Sequence, residues 1–161
     1  MPIQCHGCLC GTGWPHRFGR LRQHAKWQRR RFSGRNHEAI IRLQLAAGYL
    51  ERVQLEVALD ETKRAQVADP SFSTVFDLRG LIYAQLGDKA LAEDSFRRAL
   101  ALNSRDGSAQ HNLAYVLCEQ KKFDQARRFF EAAINNPMYQ DKDRTRIAQA
   151  VCEIQGGQVA A

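Results

Sequence analysis

The chain has 161 residues, 44% hydrophobic, 9% aromatic and 25% charged, the balance of one globular domain and too short for two comfortable ones. No apolar run approaches the roughly 18 residues of a membrane-crossing helix, and four prolines with eleven glycines exclude a low-complexity or collagen-like chain. The net charge of +7 is unevenly placed: residues 1–37 hold eight of the 24 lysines and arginines and no acid, which leaves 16 cations against 17 acids in the remainder.

Residues 1–37 also carry three of the five cysteines, four of the five histidines and both tryptophans. Their apolar residues keep neither a helical nor a strand period. The composition predicts an irregular basic head, either disordered or read from a displaced start or frame. Cys5-His6-Gly7-Cys8-Leu9-Cys10, with His16 and His24 beyond, contains the CxxC that zinc favours. No second CxxC or HxxxH pairs with it, so no metal and no cofactor are expected. Lys26 to Arg31, flanked by Phe32 and including Trp27, could meet phosphates and bases. No nucleic-acid motif accompanies them, and no nucleic-acid partner is expected.

From Glu38 onward the residues are strong helix formers, with no proline before Pro70. The chain then repeats with a step of 34 residues counted from residue 39. Position 8 reads Ala46, Gly80, Ala114, and position 11 reads Tyr49, Tyr83, Leu117. Position 20 is Ala58, Ala92, Ala126, position 24 is Thr62, Phe96, Phe130, and position 27 is Ala65, Ala99, Ala133. Small residues at 8, 20 and 27 let two helix backbones approach, and large ones at 11 and 24 fill the remaining space. Pro70 and Pro137 end the unit, with Ser104 in the middle copy, because proline lacks a donor and disfavours helix before it. The pattern resembles the tetratricopeptide repeat, a pair of antiparallel helices. It implies an all-α helical solenoid: repeats at about 39–72, 73–106 and 107–140, and one terminal helix within 141–161.

Particular strings narrow the resemblance. RLQLAAGYLE (42–51), ALDE (58–61), ADPSF (68–72), RGLIYAQLGD (79–88), AEDSFRRALALN (92–103), YVLCEQ (115–120) and NPMYQ (136–140) occur in order. Together they resemble the type IV pilus biogenesis and stability proteins, pilotin lipoproteins of the outer membrane. The resemblance implies a non-enzymatic interaction module that assists secretin assembly from the periplasmic face of the outer membrane. Members of that family carry a lipid-modified cysteine after a secretory signal and continue for about two further repeats. No 7–15-residue apolar run and small-residue stretch precede Cys5, Cys8 or Cys10. Membrane association is therefore expected only through a lipid anchor not visible in this N-terminus. The alternative is a cytoplasmic scaffold or chaperone adaptor.

Cys118 and Cys152 are 34 residues apart, both at position 12 of a first helix. Packed helices lie about 8–10 Å apart, and a disulfide needs Cα atoms within roughly 7 Å, so pairing is feasible if both side chains point inward. The resembled family carries a cysteine pair in the corresponding places. Two small buried thiols are the other reading. No nucleophile elbow, phosphate loop or HExxH motif is present, so no catalytic residue is expected.

First helices of such a stack line a concave groove through positions 2, 5, 9, 12 and 13. The groove set is Ile40, Leu43, Ala47, Leu50 and Glu51 in repeat one, Thr74, Asp77, Leu81, Ala84 and Gln85 in repeat two, and Ser108, His111, Tyr115, Cys118 and Glu119 in repeat three. In the first helix Leu45, Ala46 and Tyr49 are expected to pack instead. An apolar helical groove suits a peptide with Leu or Phe anchors. Adaptors that grip an acidic C-terminus need Lys, Arg and Asn here, and positions 5 and 9 lack them.

Overall fold

The structure, a computed structural model, describes residues 36–157, and the residues considered for zinc and nucleic acid lie outside that range. Among the described residues seven helices follow one another: α1 (36–51), α2 (Leu55–Ala68), α3 (Ser73–Gln85), α4 (Lys89–Leu102), α5 (Gly107–Glu119), α6 (Phe123–Asn135) and α7 (Lys142–Gln155). No strand occurs among the described residues. Helix α1 includes residues 36 and 37, which composition alone assigned to the head. The helices pair as α1 with α2, α3 with α4, and α5 with α6, and α7 is a first helix with no second helix after it among the described residues.

One turn is built three times. At position 15 the backbone is left-handed in every pair: Val53 at φ 59°, Gly87 at φ 84° and Lys121 at φ 62°. The next residue's N–H then reaches back over the turn, from Gln54 to the Tyr49 carbonyl (2.9 Å), Asp88 to Tyr83 (3.0 Å) and Lys122 to Leu117 (2.9 Å). This is the six-to-one bond that closes a helix on a left-handed residue. The turn between repeats is also shared. Asp69, Asn103 and Asn136 each accept, through the side chain, the N–H two residues on: Ser71, Arg105 and Met138. Pro70 or Pro137 fits directly behind that residue because its fixed φ suits the turn. Asp88 and Asp106 then cap α4 and α5, Asp106 accepting from both Ser108 and Ala109.

Positions 20 and 27 are fully buried in all three pairs, as are Ala46, Ala114, Thr62 and Phe96. The contact is closest in the middle pair, where a Cβ on Gly80 would lie 2.5 Å from the Phe96 ring. The main core runs from Ala92 and Phe96 through Leu113, Ala114 and Leu117 to Ala126, Phe130 and Cys152. Each repeat covers the open side of its neighbour, as in any stack of this kind.

Leu45 corrects the sequence reading, for it is 43% exposed rather than packed. Position 7 stands between two second helices, the preceding one and its own. Arg79 occupies it in repeat two and shows both walls, donating from Nη1 to Gln66 Oε1 on α2 (3.0 Å) and from Nε to Ser95 Oγ on α4 (3.1 Å). Leu113, flanked on both sides, is 0% exposed. No second helix precedes α1 or follows α7 among the described residues. Leu45 therefore stays half open, and Ile147 on α7 is 67% exposed.

Candidate functional site

The four first helices share one concave cavity of about 360 Å³. Leu50 enters it from α1, Leu81, Ala84 and Gln85 from α3, His111 and Tyr115 from α5. Position 12 thus supplies one wall and positions 5 and 9 the other, brought together by the stacking of helices rather than by proximity in sequence. Tyr115 stands at the rim, 53% exposed, and Leu81 is open beside it.

The remaining members of the groove set lie elsewhere. Ile40 is exposed near the start of α1, and Leu43 and Ala47 are half-buried on the same helix outside the cavity. Asp77 stands behind the wall, where its Oδ1 accepts from Asn112 Nδ2 at 3.1 Å. Burial pushes its carboxyl up to about 6; the Asn112 hydrogen bond opposes this, and the nearby Asp106 charge adds to it.

His111 is only 7% exposed, so an edge of its ring meets the cavity. Its Nδ1 lies 2.9 Å from Thr145 Oγ1 on α7, and the ring packs edge-on against Phe130, centroids 6.0 Å apart. Thr145 Oγ1 also lies 3.0 Å from the Asp141 carbonyl and 3.1 Å from Tyr139 Oη. Burial lowers the His111 pKa, the Arg144 guanidinium lowers it further, and Asp141 opposes both. His111 is therefore a neutral packing residue at pH 7, and the hydroxyl it meets, Thr145 Oγ1, is fully buried. Among the described residues no group of three His, Cys, Asp or Glu could hold a metal ion.

Four further residues line the cavity and were not in the groove set: Phe96, Asn112, Val116 and Arg144. Phe96 stands at packing position 24, and its ring reaches the groove because Gly80 offers no Cβ in the way. Asn112 and Val116 each follow a groove position by one residue, so a wider groove stripe would have included them. Nothing in the repeat marks Arg144, which α7 carries into the site.

Cys118 and Cys152 are disulfide-bonded, with Cα atoms 5.8 Å apart, and tie α7 to α5 behind the cavity. No helix among the described residues is long and apolar enough to cross a membrane.

The tetratricopeptide repeat matches residues 73–106 and again residues 107–135. An uncharacterized protein of Haemophilus influenzae is 33% identical over 109 residues, covering 66% of this chain and 61% of that protein. The type IV pilus assembly protein PilF of Pseudomonas aeruginosa is 28% identical over 111 residues, covering 69% of this chain and 44% of PilF. A solved structure of Pseudomonas aeruginosa PilF superposes with a TM-score of 0.74 at 26% identity, over 78% of this chain and 56% of that one. The chain thus spans about two fifths to three fifths of the length of the relatives it matches.

Proposed function

We propose that this tetratricopeptide-repeat chain is a non-enzymatic interaction module of type IV pilus biogenesis, a pilotin-like factor whose groove holds a peptide of the secretin subunit and assists its assembly. The observation that carries the reading is the cavity of about 360 Å³, set on the concave side of a fold similar to PilF and walled by Leu50, Leu81 and Ala84. It falls at the small end of ligand sites, which hold roughly 300–1,000 Å³. An open, mainly apolar hollow suits an anchoring side chain of a peptide better than a second folded surface.

The site residues follow the same reading. Leu50, Leu81, Ala84 and Tyr115 form the contact surface, and Ile40, Leu43 and Ala47 extend it along α1. Asp77 and His111 hold the walls through Asn112 and Thr145. The disulfide fits an oxidising compartment. The chain acts on the periplasmic face of the outer membrane, where secretin subunits are assembled.

Titration of purified secretin into the parent and into Leu43→Glu and Leu50→Glu tests the assignment. Burying one Leu against a partner is worth roughly 1.5–3 kcal/mol, so each variant should bind about tenfold or more weakly. Helix content by circular dichroism should hold, because Glu is a good helix former. Binding as tight as the parent's in both variants would remove the groove from the function.

A further inference from the structure

The cavity is lined almost wholly by uncharged groups, and with His111 neutral its lining holds a single formal charge, the guanidinium of Arg144. Other arginines of the fold have carboxylate partners: Arg42 with Glu61 (3.1 Å), Arg64 with Asp60 (2.8 Å), Arg97 with Glu93 (2.8 Å) and, two residues further along α7, Arg146 with Asp143 (2.9 Å). Arg144 is exposed and makes no ion pair or hydrogen bond among the described residues. It sits in the first turn of α7, where the field of the helix itself disfavours a cation. Of the acids beside it in sequence, Asp143 pairs with Arg146, and Asp141 opposes the effect of the Arg144 charge on His111.

We infer that the groove's ligand is a peptide carrying a large apolar side chain, seated between Leu50 and Leu81, with a carboxylate within one or two residues of it that pairs with Arg144. This rests on the peptide-groove reading and adds the chemistry of the ligand. The apolar floor supplies most of the affinity, as desolvated anchors do at peptide sites. The rim cation supplies orientation and discrimination, because charge complementarity at a rim acts more on specificity than on affinity. A planar guanidinium binds a carboxylate through two parallel donors, which fixes the direction in which the peptide lies.

The test is selection of a random-peptide display library on the full chain, in parallel with Arg144→Glu and Leu81→Glu. Peptides selected on the parent should combine Phe or Leu with Asp or Glu one or two residues away. Replacing that acid by its amide should weaken binding about two- to fivefold, the range of an exposed ion pair. On Arg144→Glu the selected charge should invert to Lys or Arg while the apolar anchor persists, and Leu81→Glu should lose the parent's peptides altogether. Apolar peptides without a preferred acid, or the same acids selected on Arg144→Glu, would overturn the ligand assignment and leave the groove in place. Parent peptides that bind Leu81→Glu and Arg144→Glu undiminished would overturn both, and so would a parent that enriches no peptide.

Discussion

Asn112 Nδ2 donates to Asp77 Oδ1 at 3.1 Å, fastening α5 to α3 directly behind the cavity. The bond joins two repeats at their concave edge, and it holds a carboxylate that burial has made reluctant to ionise. The folded pKa of about 6 lies above the ordinary value of 3.8. The folded state therefore holds the proton more tightly than the unfolded one. Stability from this group is greatest below about pH 4 and falls as pH rises through 6, the reverse of an ordinary salt-bridged acid. Asp77→Asn keeps an acceptor for Asn112 and removes the charge. It should raise stability at pH 8 by about 2–3 kcal/mol, and the gain should shrink steadily toward pH 4. Urea melts of parent and variant across that range give the difference directly, and a gain independent of pH would refute the buried-charge account.

Gly80 and Phe96 predict a reversal of the usual glycine rule. In an open helix Gly→Ala gains about 1 kcal/mol. Here the added Cβ would sit 2.5 Å from the ring, so Gly80→Ala should lose roughly 1–3 kcal/mol instead. Adding Phe96→Leu should make the two losses non-additive, because the smaller side chain relieves the clash. Thermal melts of the two single variants and the double variant measure that coupling.

The repeated turn makes its own prediction. Val53 and Lys121 hold the left-handed conformation that Gly87 holds freely, and for a side chain this costs roughly 1–2 kcal/mol. Glycine loses more chain entropy on folding, so part of the gain is offset. Val53→Gly should still be neutral to stabilising, by up to about 1 kcal/mol, whereas Gly87→Val should destabilise by at least as much. Denaturant midpoints for the two variants should therefore move in opposite directions.

The disulfide acts locally. It closes a separation of 34 residues, a cross-link worth roughly 3–4 kcal/mol in the chain-entropy model. Among the described residues helix α7 packs on α6 and α5, so reduction should release it first. Hydrogen exchange should quicken through Lys142–Gln155 while α3 and α4 keep their protection. Uniform loss of protection across all helices would show that the link stabilises the whole stack at once.

Much of this architecture was legible in the residues, and where it was not, the reason is physical. Ala58, Ala92 and Ala126 recur because every pair needs the same close approach, so a step of 34 exposes the fold. Leu45 was misread because its register is that of Leu113, but burial at position 7 also needs a helix on either side. The Asx turns at Asp69, Asn103 and Asn136 are also written in the sequence, but the prolines mark only two of them, and Ser104 stands in the third. Within the site, Leu50, Leu81, Ala84, His111 and Tyr115 follow from helix periodicity. Arg144 does not, because the winding of one repeat on the next decides which side chains converge on a hollow.

Site-specific photocrosslinking shows whether the partner sits in the groove. A photoreactive residue in place of Tyr115, at the rim of the cavity, should capture a secretin segment, while the same residue in place of Glu131, exposed on α6, should capture none. Capture from position 131 and none from position 115 would place the partner outside the groove and contradict the account.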